Sequence, residues 1–319
     1  MACSIHIRRV LLGVVLLSLG TIVRAQQDPL FLQYWMVEPQ YNPAAVGKQD
    51  QLNITAALQT HAMGFDDAGS TIFAGVDAAF QLGKSRHGIG GSFQADNIGI
   101  FSHKKFSVQY AYQMKMGKGK AHRLSIGVSA DMLAESADGS KADTEEGNDP
   151  AFGSSQMEGS RIDASVGLLY QWKDFNVGVS MLHVTAPEVE MGETNLYNVK
   201  RLYNFNTEYV IKTRNPYFKV IPSAAFRTDL TEWRADVTAR FAFERDKKNF
   251  NFGADYAPMH SFAVFIGCVF HGINICYSYE ANTEGMGIGA GQHEVTLGYK
   301  LDLNLGKKGR NMHKTVRWL

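Results

Sequence analysis

The chemistry this sequence could perform is limited by how its reactive residues are spaced. Gly285-Met286-Gly287-Ile288-Gly289-Ala290-Gly291 superficially has the glycine pattern of a dinucleotide-binding loop. Such a loop presents backbone N–H groups to a pyrophosphate and must open a helix after a strand. Here it leads into an alternating segment at 292–301, so a flexible exterior loop is the better reading. Asp143-Thr144-Glu145-Glu146-Gly147-Asn148-Asp149-Pro150 offers oxygen ligands but lacks the spacing of a calcium loop, and reads as a solvated acidic loop. The histidines at 61, 87, 103, 122, 183, 260, 271, 293 and 313 are scattered, and none joins a Cys or carboxylate at metal-ligand spacing. No nucleophile elbow is present, and no Ser, His and acid assemble at one identifiable place. The sequence therefore offers no catalytic residue, no metal site and no cofactor.

Two terminal segments hold the candidate partner-binding residues. Residues 28–47 carry Phe31, Tyr34, Trp35 and Tyr41 among Pro29, Pro39 and Pro43. The prolines argue against a long helix, and the aromatic rings need something to bury against. This segment is either a plug or docking arm, or a frayed leader packed beneath the fold. The tail 302–319 holds Lys307, Lys308, Arg310, Lys314 and Arg317, with Trp318 near its end. It could engage an acidic periplasmic partner or anionic headgroups, or be a disordered basic end.

The N-terminus sets the compartment in which these segments must work. Arg8 and Arg9 precede the apolar run 10–23, and Val23-Arg24-Ala25 is a small-residue cleavage site, so 1–25 reads as a signal peptide. Its removal leaves 29 basic against 31 acidic residues, a balance of −2 that gives no field for nucleic acid. No later run of about 18 apolar residues could cross a membrane as a helix. The composition, with 31 glycines and many aromatics, instead suits tight turns, strands and interfacial girdles.

Alternation at period two supplies the elements. Fourteen strands are predicted at 51–60, 71–82, 86–96, 105–116, 122–134, 161–172, 175–184, 201–213, 217–226, 233–244, 249–256, 261–270, 273–280 and 292–301. In 106–116 the even positions are Phe, Val, Tyr, Tyr, Met and Met, while the odd positions include Gln109, Gln113 and Lys115. Turning Lys115 into lipid would be costly, so the aromatic face points outward. The fold class is thus all-β, a closed antiparallel transmembrane barrel of outer-membrane type. Its expected organisation is a leader or plug at 26–50, the barrel at 51–301 and the basic tail at 302–319. Short links after even-numbered strands and longer ones after most odd-numbered strands place both termini on the periplasmic side.

Several details follow from this register. The turn His271-Gly272 sets Cys268 opposite Ile275 and Gly267 opposite Cys276, so the two thiols point to opposite faces and cannot join. Val237 faces lipid and Thr238 the lumen, where Thr238→Arg is expected to be tolerated beside Asp236 and Arg240. Phe73, Leu169, Leu182 and Phe265 fit badly because they fall on luminal faces. They pack on a plug, or they mark bulges or slips in the assigned register.

Gln27-Asp28-Pro29-Leu30-Phe31-Leu32-Gln33-Tyr34, followed by Tyr41-Asn42-Pro43-Ala44-Ala45-Val46-Gly47, resembles the start of the PorP/SprF family. That resemblance implies a non-enzymatic outer-membrane component of the Bacteroidetes type IX secretion and gliding machinery. It also implies partners: the periplasmic PorK/PorN ring, PorE, or a secreted adhesin bearing a type B C-terminal domain. Periodicity alone reaches only the barrel. A passive or ligand-gated channel, or a barrel enzyme with a rim constellation, stands as an alternative.

Overall fold

The computed structural model describes residues 28–61, 69–83, 85–117, 122–139, 156–192, 195–245, 248–283 and 291–302. The expected signal segment, the acidic stretch 143–150, most of the glycine run and the tail cations lie outside the described residues. The leader holds a single-turn helix α1 (Glu38–Tyr41) and a 3-10 turn (Pro43–Ala45). The strands are β1 (Leu52–Thr60), β2 (Ser70–Leu82), β3 (Ser85–Ile98), β4 (Phe101–Met116), β5 (His122–Asp138) and β6 (Gln156–Trp172). They continue as β7 (Phe175–Leu182), β8 (Glu188–Met191), β9 (Asn195–Asn198), β10 (Leu202–Tyr209), β11 (Ile211–Lys212) and β12 (Phe218–Thr228). The last are β13 (Trp233–Arg245), β14 (Lys248–Ala257), β15 (Ser261–Phe270), β16 (Ile273–Asn282) and β17 (Gln292–Leu301).

The sheet closes on itself. β1 pairs with β2 and, across the closing seam, with β17 from Leu52↔Leu301 to Thr60↔His293. β10 pairs with β7 on one side and β12 on the other, and β11 continues it beside β12. The break between them lies at Val210, whose N–H donates to the Asp174 carbonyl (2.9 Å). With β10 and β11 counted together and the separate hairpin β8–β9 set aside, the wall has 14 antiparallel strands. Because every wall strand has two neighbours, its backbone donors and acceptors are satisfied within the wall rather than left to lipid.

The alternation has its expected meaning. On β4, Phe106 and Val108 are 51% and 67% exposed on the outer surface, whereas Ser107 and Gln109 are 5% exposed toward the lumen. The turn at Lys173-Asp174 sets Tyr170 opposite Val177 and Leu168 opposite Val179, with both pairs on the outer face.

Three local expectations need correction. The predicted loop 97–104 is instead a tight turn at Gly99-Ile100, because Gly99 adopts φ 58° and lets β3 and β4 run on to meet. The links 229–232 and 258–260 are also short, so only the connections 61–69, 139–155, 183–201 and 283–291 make that end the long-loop end. β5 and β6 extend past their predicted ends to Asp138 and Gln156. The hairpin β8–β9, which falls where a plain loop was expected, explains the extension. Val189, Met191 and Val199 pack with Leu133 of β5, and Met157 and Tyr197 flank them. Burying that cluster gives the protruding strands an apolar inner face to hold.

Two measurements check the wall. Val237 is 57% exposed on the outer face, so Val237→Arg should cost about 2–4 kcal/mol and deplete heat-modifiable protein from membranes. Gly267↔Cys276 and Cys268↔Ile275 put the two thiols on opposite faces, and both are free. Alkylation after non-reducing denaturation should therefore modify both; a bridged species would mean that β15 and β16 are misregistered.

Candidate functional site

The lumen of this barrel is occupied by the chain's own leader. Asp28 lies at the long-loop end, beside Lys105 of β4 and His183 at the end of β7. From there the leader descends to the short-turn end, where Gly47 and Lys48 meet the starts of β3 and β5 before β1 begins. The segment read from the sequence as a plug or docking arm, or as a frayed leader beneath the fold, thus lies inside the barrel. The described chain thus approaches the two ends of the wall at Asp28 and Asp302, on opposite sides.

Backbone groups of an irregular segment need partners, and the wall supplies them. The carboxylate of Glu294 accepts from the N–H groups of Leu32 (2.6 Å) and Gln33 (3.1 Å). Gln59 donates to the Leu30 carbonyl (2.9 Å), and Gln109 donates to that of Pro39 (2.8 Å). Near the short-turn end Arg86 and Gln113 both donate to the Gly47 carbonyl (2.8 Å each), while Asp77 accepts from the Gly47 N–H (2.8 Å). Gly47 itself has φ 65°, which a side chain would resist. Wall glycines let the leader come close. A Cβ on Gly127 would lie 2.1 Å from the Ala44 nitrogen, and one on Gly167 would lie 2.0 Å from Asn42 Oδ1.

The sequence-predicted aromatics lie inside this interface. Phe31 packs edge-on against Phe73 (5.8 Å), and Trp35 packs against Phe265 (5.0 Å). Leu169 joins Ala44 and Ala45 in a buried cluster. Three of the four misplaced luminal hydrophobics are thus the wall's contacts with the leader, and no slip in register is needed there. Leu182 is likewise buried, at the end of β7. Tyr34 Oη donates to Ser223 Oγ (2.8 Å), the Arg227 guanidinium lies over Tyr41 (4.5 Å), and that of Arg240 over Trp35 (4.7 Å). Phe31 and Tyr34 are buried and Trp35 is half-buried, so they offer no rim surface in this conformation. Lys307, Lys308, Arg310, Lys314 and Arg317 lie outside the described residues.

A second cluster fastens the leader at the long-loop end. His183 sits at the root of the loop that carries β8–β9. It donates through Nδ1 to Asp163 (2.6 Å) and through Nε2 to Asp28 (3.1 Å). Both ring nitrogens can donate only in the imidazolium. Burial alone would lower the His183 pKa, but the Asp28 and Asp163 carboxylates outweigh it and push it up to about 9. Burial would raise the pKa of Asp28, yet His183 and Lys105 hold it well below the usual carboxylate range. Across the cluster, Tyr197 of β9 packs on His103 (5.3 Å), which is hydrogen-bonded to Glu135.

Sequence reasoning missed Glu294, Arg227, Arg240 and His183. Their only signal was position: each is an ionisable residue on a luminal face or strand end whose partner is far away in sequence. Among the described residues, His61, Thr71 and Asp96 are brought together in the manner of a catalytic set. The Thr71 hydroxyl contacts His61 (3.0 Å) and Asp96 (2.5 Å), but Thr71 is fully buried. Among the described residues no three groups converge to hold a metal ion. What the arrangement does chemically is hold an irregular peptide segment inside the wall.

Thr238 overturns one sequence expectation. It is buried between Tyr34 Oη (3.2 Å) and Asp255 (2.5 Å), so an arginine there has no space. Thr238→Arg should displace the leader at a cost of about 1–3 kcal/mol and make residues 28–48 protease-sensitive in an otherwise folded barrel. The fastening should also follow pH. The His183 contribution is complete below the ordinary 6.5 and is lost as pH rises through about 9. That of Asp28 is complete above the ordinary 3.8 and is lost as pH falls through its depressed value. Proteolytic protection of the leader should therefore be flat between about pH 4 and 6.5 and fall between about pH 6.5 and 9, and His183→Gln should abolish the alkaline step.

Comparison with known proteins places this architecture. Similar solved structures include a FadL homologue of Pseudomonas aeruginosa, at 9% identity and TM-score 0.52, covering 82% of this chain and 93% of that one. Another is the deltaS2S3 mutant of the monoaromatic hydrocarbon channel TodX, at 9% identity and TM-score 0.50, covering 85% and 94%. At such identities the likeness is one of fold: an outer-membrane barrel. No curated protein sequence matches the chain significantly. The family described as type IX secretion system membrane protein PorP/SprF matches residues 23–299. With most of its length matched in this way, leader and wall together, the chain belongs to the PorP/SprF family of type IX secretion system membrane proteins.

Proposed function

We propose that this barrel is a non-enzymatic adaptor of the type IX machinery, holding periplasmic ring components, secreted cargo or both at the outer membrane. The observation that carries the reading is the filled lumen. With the leader seated on Glu294, Tyr34 bonded to Ser223 and Trp35 against Phe265, the chain's own segment takes up the lumen, which supports the rims as the working surfaces. In this reading the short-turn end faces the periplasm, as turn lengths in bacterial barrels imply. The chain beyond Asp302 then emerges toward the PorK/PorN ring and PorE, and Lys307, Lys308, Arg310, Lys314 and Arg317 form the docking surface. The same basic extension favours a PorP-like member over others of the family. A secreted adhesin with a type B C-terminal domain would meet the opposite rim, at the hairpin β8–β9.

A ligand-gated channel is the second reading. Likeness of fold to a monoaromatic hydrocarbon channel favours it, and it requires the leader to leave its seat.

Two experiments separate these readings. In-vivo crosslinking followed by mass spectrometry should recover ring components, and charge reversal of the five tail cations should reduce that recovery in a salt-dependent way. Folded barrel yield should stay unchanged. Planar-bilayer recording should find the intact protein silent and a variant lacking 28–48 conductive. Ligand-dependent conductance in the intact protein, without ring partners, would favour the channel. Single cysteines at Thr231 and Asn215, both exposed, test the orientation: only the first should react with a membrane-impermeant reagent on intact cells.

A further inference from the structure

We infer that the inner mouth of the barrel at the short-turn end, on β3–β5, is a docking site for an acidic peptide segment of a periplasmic partner. Three cations face the lumen there. Arg86 of β3 stands opposite Gln113 of β4, and two residues nearer the rim Lys115 stands opposite Arg123 of β5. Strand alternation puts these side chains on the same face as Ser107 and Gln109, which is the luminal one. Lys115 and Arg123 are like charges directly across an antiparallel pair, an arrangement that is destabilising until an anion lies between them. Arg86 and Arg123 converge as well. They donate to the consecutive carbonyls of Gly47 (2.8 Å) and Lys48 (3.2 Å), which sets the two guanidinium groups within about 11 Å of each other.

The wall beside these cations carries no acid. Their luminal neighbours near the mouth are Gln113, Ser125 and Gln171. Arg86 Nε and Ser125 Oγ are buried and have no partner among the described residues. The nearby acids are committed elsewhere: Glu38 to Lys48 (2.6 Å), Asp174 to Lys212 (2.7 Å) and Asp77 to the Gly47 N–H (2.8 Å). Asp50 alone among the described acids pairs with one of the three, lying 2.9 Å from Arg86 with its side chain 84% exposed. An ion pair so open to water is weak and displaceable, and it marks where a visiting carboxylate would sit. Spacing then selects the ligand. Carboxylates two residues apart on an extended peptide are about 7 Å apart, so one can meet Arg86 while the next lies between Lys115 and Arg123. A single phosphate does not span both positions, and bilayer lipid does not reach the luminal face.

This inference rests on the reading of the short-turn rim as the docking end, and it adds a contact inside the mouth to the tail cations. The test is lysine footprinting of the full chain in uncharged detergent, with hexaglutamate as the probe and hexaglutamine as the uncharged control. Acetylation of each lysine is read by mass spectrometry. At low salt hexaglutamate should slow acetylation of Lys115 at least about fivefold, leave Lys104 near the other end of β4 unchanged, and lose its effect at high salt. Half-protection of Lys115 should need at least about fivefold more peptide in Arg123→Glu. It should need less in Asp50→Asn, which removes the competing carboxylate. Arg123→Gln serves if the reversed variant fails to give a heat-modifiable band. Protection of Lys307, Lys308 and Lys314 without Lys115 would overturn the mouth site and leave the tail reading standing, whereas protection of Lys115 without the tail would do the reverse. Equal protection by hexaglutamine, or half-protection unchanged in the Arg123 variants, would overturn the site. Displacement of hexaglutamate by an equimolar amount of inorganic phosphate would overturn the peptide assignment.

Discussion

The interaction on which this molecule depends is between a wall too wide to fill itself and a leader long enough to do so. A barrel of eight strands packs its interior with its own side chains, and one of 16 to 18 strands encloses water. At 14 strands the luminal side chains leave a gap that is neither core nor channel. Glu294 shows how the gap is closed. Its carboxylate points into the lumen and takes two consecutive N–H groups of the leader, so one wall residue satisfies two backbone donors at once. Without the leader that carboxylate would face a void or a file of water. Without Glu294 the leader's first turn would carry buried, unpaired donors, each costing about 1–3 kcal/mol.

The remaining luminal charges obey the same logic with other partners. Arg227 and Arg234 both bond Asp236, and Arg234 reaches on to Glu280, joining β12, β13 and β16 across the lumen. Arg240 pairs with Glu208 and also covers the face of Trp35. Paired charges of this kind add little net stability, because desolvation opposes the attraction. Their effect is selectivity of conformation. Moving the leader would strip the cations from the rings of Tyr41 and Trp35 while leaving the ion pairs in place, so the wall can outlast its plug. Buried amide oxygens of Gln33, Gln40, Gln59 and Gln113 find no protein partner, and polar positions of this kind inside the interface are places that suit water.

How much of this was legible in the sequence follows from the range of the interactions. Strand faces depend on neighbours two residues apart, so Phe106, Gln109, Val237 and the hairpin that separates Cys268 from Cys276 could be read directly. Turn-limited register was equally local, as at Lys173-Asp174. The leader's path was not legible, because nothing near Phe31 in sequence says that Phe73 or Glu294 will face it. The signal was present but scattered. Phe73, Leu169 and Phe265 break the alternation because each meets a leader residue, so of the readings open in the sequence, plug contact or a slipped register, the misfits were plug contacts. The hairpin β8–β9 escaped for the opposite reason: its four-residue strands are too short for a period to register, and its apolar residues answer Leu133 on a distant strand.

The geometry also joins the two rims. Asp28 is fastened at one end by His183, which stands at the root of the loop bearing β8–β9, and Gly47 is fastened at the other by Arg86, Gln113 and Asp77. Between these anchors the leader is continuous chain with only one α-helical and one 3-10 turn to absorb a displacement. A force or partner that shifts the loop at one rim therefore acts on the same segment that enters β1 at the other. An open pore would carry material between the two faces of a membrane. A pore filled by its own anchored chain can instead carry a mechanical state between them, and for the adaptor proposed above, with its partners at the rims, that is the more useful property.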